Sequence, residues 1–286
     1  MKKTWIVAVL IALLPVLAGA ATRSDIRKQI EYSMLVQGVI ETDVGGNVGA
    51  VTVDKPEKFP EGLVAYVQQQ VSGWKFEPVL VDGKPMRARS KMSLLVVAKR
   101  PDKDTISIRI LNANFDGDGK GPQEGEVVSP LQRTAPLYPE SVAAAGVTGT
   151  VYVVVKIGPD GTVQDAVVEQ VNLRVLGKEK VMAAWRSALS DSALKAARGW
   201  TYKLPTRGEQ ASASFWSART PISFMMHGTD PDRYGKWQVY LPGPRQNIPW
   251  FSSEAASVSP DSFADGGVYM LGQSKGPKLL TPLDGT

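Results

Sequence analysis

NANFDGDG, residues 112 to 119, comes closer to metal chemistry than any other stretch of the chain. Asn112, Asn114 and Asp116 would supply oxygens at the first, third and fifth positions of a calcium loop, with Gly117 at the sixth-position turn. The first position is not Asp, however, the eighth is Gly119, and the twelfth is Gln123 where a bidentate Glu is needed, so a solvated linker is expected. The single histidine, His227, directly precedes a Gly-Thr-Asp loop, and there is no cysteine. A Ser-His-Asp arrangement, a histidine-rich metal site or a thiol nucleophile therefore has almost no material. Carboxylate pairs depend on the fold. The expectation is a protein that is not an enzyme and carries no cofactor and no metal.

The chain starts MKKTWIVAVLIALLPVLAGAAT, two lysines ahead of an apolar run from Trp5 to Leu17. Its small-residue ending has the layout of a secretory signal with cleavage after Ala20, so that Ala18, Ala20 and Ala21 mark the site. The run is shorter than the roughly 20 residues a membrane span needs. Removal of residues 1–20 would take Lys2 and Lys3 and lower the formal charge of +5 by two. Lysines and arginines are dispersed, with no aromatic interleaving, which argues against nucleic acid as a partner. The basic cluster RARSK (87 to 91) reads as a solvated strand end.

The elements that would position a site come in two similar sets. QGVIETDVGGNVGAVTV (37 to 53), FPEGLVAYVQQQVSGWKFEP (59 to 78) and ARSKMSLLVVAK (88 to 99) have counterparts in GTVYVVVKIGPDGTVQDAVV (149 to 168), DSALKAARGWTYKLP (191 to 205) and ARTPISFMM (218 to 226). The offsets are 115 residues at the glycine turns, 126 at the tryptophans and 130 at the Ala-Arg pairs, as expected of a duplication with loop insertions. Each set reads strand, strand, helix, strand. Val151, Val153, Val155 and Ile157 alternate as in a half-buried strand. Pro159, Asp160 and Gly161 form the turn that follows, matched by Gly45 and Gly46. Leu63, Val67 and Val71 mark a helix face, continued in the second set by Leu194 and Ala197. Gly73 and Gly199 are expected as left-handed helix ends, with Trp74 and Trp200 folding back as core anchors. An additional helix is expected at residues 177 to 190, a short helix with Pro139 in its first position and Gly146 at its end, and a strand at Ile106 to Leu111.

LYPESVAAAGVTGTVYVVVKIGPDGTVQDAVVEQ, followed by ALKAARGWTYKLP and ARTPISFMM, resembles the C-terminal domain of the energy transducer TonB. Tyr-Pro at 138–139, the G-T-V beginning at Gly149, Pro159-Asp160-Gly161, and the A-x-x-W-x-Y motif with Gly199, Trp200 and Tyr202 occur in the family's order. The first set looks like a diverged second copy, with Gly73 and Trp74 but without Tyr-Pro. The fold implied is α+β: two TonB-C-terminal-like domains, each a small antiparallel sheet of about three strands packed on helices. The expected division is 25–100 and 131–228, a linker at 101–130 and an irregular tail at 229–286.

The resemblance implies a Gram-negative periplasmic module that docks on the plug of an outer-membrane transporter. The partner's peptide would add as a strand beside the exposed edge strand. By position, that edge is Thr220, Pro221, Ile222, Ser223, Phe224, Met225 and Met226, with Tyr138 and Pro139 near the contact. Ile222, Phe224 and Met226 are expected to point into the core. Residues Lys236 to Leu241 are expected to fold back and cap the edge. The alternatives are an envelope scaffold whose domains pair with each other or as a homodimer, and a true energy transducer anchored in the membrane if the N-terminal helix is retained.

Overall fold

The computed structural model describes residues 30–100, 105–117, 125–208, 210–228, 233–251, 259–272 and 276–283. The expected signal segment with Ala18, Ala20 and Ala21 lies outside the described residues. Among the described residues, no helix is long and apolar enough to cross a membrane.

The structure is α+β, built on two antiparallel sheets. In the first, β1 (Glu31–Thr42) pairs along its length with β5 (Ala88–Lys99), which pairs with β6 (Ser107–Asp116). The other side of β1 takes β2 (Val48–Val53). Met34, Val36 and Ile40 alternate into the core, as a period of two requires, and meet Leu63, Val67 and Val71 of helix α1 (Leu63–Ser72). A small apolar hairpin, β3 (Val79–Val81) and β4 (Lys84–Met86), follows α1.

In the second sheet β8 (Gly149–Ile157) is central, between β9 (Val163–Leu173) and β11 (Trp216–Phe224). Short strands β7 (Ser129–Gln132) and β10 (Thr201–Lys203) pair beside it. Helix α2 (Glu140–Ala144) precedes β8 and helix α3 (Glu179–Ala197) covers one face. Val151, Val153, Val155 and Ile157 pack with Leu189, Ala193 and Ala197 of α3.

The hairpins of the two sheets share their geometry. The Gly46 amide donates to Asp43 and the Gly161 amide to Gly158, both at 3.0 Å. Both glycines have φ +78°. Next to each turn, Thr42 pairs with Val48 and Glu41 with Ala50, as Ile157 does with Val163 and Lys156 with Asp165, so each ladder carries a bulge at the same step. The Phe76 amide donates to the Gly46 carbonyl, and the Tyr202 amide to Gly161, each at 2.8 Å. A Cβ on Gly46 would lie 2.1 Å from the Phe76 carbonyl oxygen, and one on Gly161 2.4 Å from that of Tyr202. Glycine is required twice over at each turn, by backbone conformation and by space.

Several expectations are corrected. Gly73 has φ −83°, and Gly199 is not left-handed either. Both helices instead end in a tighter turn, with Trp74 donating to Val71 and Trp200 to Ala197. The tryptophans lie in the two cores, Trp200 also donating to the Thr134 carbonyl at 2.9 Å. Residues 177–190 do not form a separate helix, because the run to Ala197 contains no glycine or proline, and α3 is continuous. Pro139 is the N-cap of α2, one position before the expected one. Asn112, Asn114 and Asp116 lie in β6 rather than in a linker or calcium loop, because they pair in register with β5. The third strands correspond differently from the Ala-Arg echo. Thr42 faces Ala88 where Ile157 faces Trp216, a two-residue difference that keeps each side chain on its face.

The segment expected as an irregular tail runs between both sheets. The Tyr234 ring packs on Phe59 at 5.1 Å, and its hydroxyl donates to the Asp54 carbonyl at 2.9 Å. Strand β12 (Gln238–Tyr240) pairs with Glu31–Ser33 of β1. Leu241 exchanges backbone hydrogen bonds with Leu173, and the Gln246 amide donates to Glu169. Ile248, Trp250, Phe251 and Leu271 then pack on Val154 and Val167, the face of the second sheet opposite α3. That burial explains why β8 is enclosed on both faces, since Tyr152 and Val154 make its even positions apolar as well. Leu279 finally returns to Phe76.

Candidate functional site: the outer edge of β11

Strand β11 is paired with β8 from Trp216–Ile157 to Phe224–Gly149. Its inner face is Trp216, Ala218, Ile222 and Phe224, in the core with α3. The Pro221 carbonyl points to the outer edge, where it accepts from the Gly266 amide at 3.0 Å. Its missing N–H therefore faces the same edge and removes no hydrogen bond from the ladder with β8.

The outer edge is capped over part of its length. Strand β13 (Tyr269–Met270) pairs with Ala218 and Arg219, and the Leu271 amide donates to Ser217 at 2.9 Å. The expectation that Lys236 to Leu241 caps this edge is corrected. Gln238–Tyr240 pair with β1, and residues 266–271 take the position on β11. The opposite face of β12 explains the choice, because Tyr240 buries with Leu95 and Val97 of β5. Among the described residues, backbone pairing on the outer edge of β11 ends at Pro221.

At the far end of the strand, Tyr138 stands edge-on to Phe224 with ring centroids 5.4 Å apart, and its hydroxyl donates to the Val147 carbonyl. Burial raises the pKa of that hydroxyl. Pro139 sets the start of α2 beside it. Tyr138, Ile222 and Phe224 thus belong to one core, while Thr220 and Pro221 are buried and Met225 and Met226 half-exposed. The Ser223 hydroxyl lies 3.2 Å from that of Thr150 and accepts from Arg233 at 2.8 Å.

Two polar clusters behind this edge had escaped the sequence reading. Glu169, fully buried, accepts from Arg219 at 2.6 and 3.0 Å and from Arg245 at 2.6 and 2.9 Å. Its only sequence signal is a charge in the middle of each of two apolar strands. Buried Asp261 accepts from Asn112 of β6, Asn172 of β9, Tyr240 of β12 and Ser259. One carboxylate therefore holds elements of both sheets.

Residues 134–226 match the family model for the Gram-negative bacterial TonB protein C-terminal. The match contains α2, β8, β9, α3 and β11 with the Tyr138–Phe224 contact, and makes this unit similar to the TonB C-terminal domain. It covers about a third of the chain and does not reach the first sheet. Domains of this family are non-enzymatic energy-transduction or binding modules of the envelope and interact with outer-membrane transporters. No curated protein and no solved structure matches the chain.

Proposed function

We propose that the chain is an exported periplasmic binding protein that recognises an outer-membrane transporter, or another envelope protein, by strand addition to β11. The observation that carries this reading is the edge itself: among the described residues, outer pairing stops at Pro221 while the strand continues to Phe224. Backbone donors and acceptors beyond Pro221 suit an extended peptide, and Tyr138 supports the strand from behind. Residues 266–271 hold the remaining rungs and would be displaced by a longer peptide. The first sheet, with the same turn and bulge, is read as a diverged second copy of the domain, and neither copy as an enzyme.

A synthetic plug peptide from an outer-membrane transporter should be captured by the purified protein. Ser223→Pro, which removes an edge amide and φ freedom, should abolish capture with the fold retained by circular dichroism. Capture unaffected by Ser223→Pro rejects strand addition. N-terminal sequencing of the mature protein tests cleavage after Ala20, and a retained segment would favour a membrane-anchored transducer.

A further inference from the structure

Between the two sheets lies a cavity of about 300 Å³, at the small end of the range for ligand sites. Its walls include Met34 and Leu95 from the first sheet, Thr150 and Arg174 from the second, and Arg233 and Phe263 from the segment that laces them together. Thr150 and Ser223 are directly opposite each other in the β8–β11 register.

The polar side of this cavity has too many donors. Arg174 donates to the Thr150 hydroxyl at 2.8 Å, that hydroxyl lies 3.2 Å from the one on Ser223, and Arg233 donates to Ser223 at 2.8 Å. Each hydroxyl already accepts from a guanidinium, and one must donate to the other. One hydroxyl hydrogen is then left over. Arg174 Nη1 is buried with no hydrogen-bond partner among the described residues, a costly state for a cationic donor. Asp265 pairs with Arg233, and the other carboxylate on the cavity wall, Asp261, already accepts four hydrogen bonds. Burial first, and Arg233 second, lower the pKa of Arg174 to about 10, so it remains a cation at neutral pH.

We infer that this cavity is a binding site for a small monocarboxylate with an apolar body, the carboxylate pairing with the Arg174 guanidinium and accepting from the Thr150 hydroxyl, which Ser223 supports from behind. A monoanion is favoured over a dianion because Asp265 already pairs with Arg233, which leaves the single charge of Arg174 for the ligand. The apolar body would lie on Met34, Leu95 and Phe263. This site is independent of strand addition on the outer edge, and either proposal can fail without the other.

Titration calorimetry on the full-length protein with octanoate, octanol, octylamine and inorganic phosphate tests the assignment. Octanoate should bind saturably at one site, and the other three at least about tenfold more weakly. Arg174→Gln should weaken octanoate at least about tenfold, and Arg174→Lys should recover part of the loss. If Arg174→Gln does not fold by circular dichroism, Thr150→Val, which removes the hydroxyl that donates to the carboxylate, carries the same criterion. No saturable octanoate binding, equal binding of octanol or phosphate, or an unchanged affinity in the folded variant overturns the proposal.

Discussion

Arg219 on β11 closes a two-pronged pair on Glu169 of β9, at 2.6 and 3.0 Å, in a part of the sheet where both side chains are almost fully buried. The strands are not neighbours, since β8 lies between them, so the pair spans the sheet on the face away from α3. The Arg219 guanidinium lies over the Phe263 ring at 5.1 Å, and Arg245 adds a second pair to Glu169. The edge strand is thereby tied to the segment beyond residue 226 by charge as well as by packing.

Removing one partner of such a pair leaves an uncompensated buried charge. Glu169→Gln is expected to lower stability by about 3–5 kcal/mol in urea unfolding. Combining it with Arg219→Met, which removes the buried cation, should restore part of that loss. A Glu169→Gln cost below about 1 kcal/mol would mean that the pair lies effectively in solvent.

The two turn glycines make a sharper comparison, because Gly62 provides a control. Gly62 has φ +79°, and a Cβ there would meet nothing within 4 Å. Gly62→Ala should cost about 1 kcal/mol, from backbone conformation alone. Gly161→Ala and Gly46→Ala add a collision with a carbonyl oxygen, and each should cost about 3 kcal/mol. Equal costs at all three positions would show that the close approach to Tyr202 and Phe76 carries no energy.

These turns were legible because Pro159-Asp160-Gly161 and Gly45-Gly46 act through local backbone sterics, which a sequence states directly. The alternation of Val151, Val153 and Val155 likewise marked the face toward α3. What Lys236 to Leu241 would pair with was not legible, since a short strand carries no address. Its choice of β1 over β11 rests on Tyr240 reaching Leu95, Val97 and Asp261, residues distant in sequence. The apolar even positions Tyr152 and Val154 were the available sign that the second face is covered too. The surplus of donors around Arg174 came from four segments and left no pattern.

Stability should fall in alkali. Burial pushes the Tyr202 hydroxyl up to about 12, and burial, then Asp261, raises those of Tyr152 and Tyr240. In the unfolded chain they ionise near 10, so their stabilisation is complete below about pH 10 and lost as pH climbs through the folded values. Tyr202 alone accounts for about 2 kcal/mol by pH 12. Arg174, lowered to about 10, acts with the opposite sign, but three tyrosines outweigh one arginine. Urea midpoints should hold from about pH 8 to pH 10 and then drop, together with delayed tyrosinate absorbance. A midpoint independent of pH would place these hydroxyls in water.

The capped edge suggests its own test, though not by removing the whole segment after residue 228. That deletion would strip Tyr234 from Phe59, Ile248 and Leu271 from Val154, and Arg245 from Glu169, so association could arise from any exposed face. Leu271→Pro is narrower, since it removes the amide that donates to Ser217 and leaves the ion pair and β12 in place. It should cost about 3 kcal/mol and free the outer edge between Ser217 and Pro221. An exposed edge invites pairing, so the variant should capture more plug peptide or self-associate more in sedimentation than the parent. If neither increases while hydrogen exchange shows the 266–271 segment released, the edge is not the surface that binds, and the role of β13 is to finish the sheet.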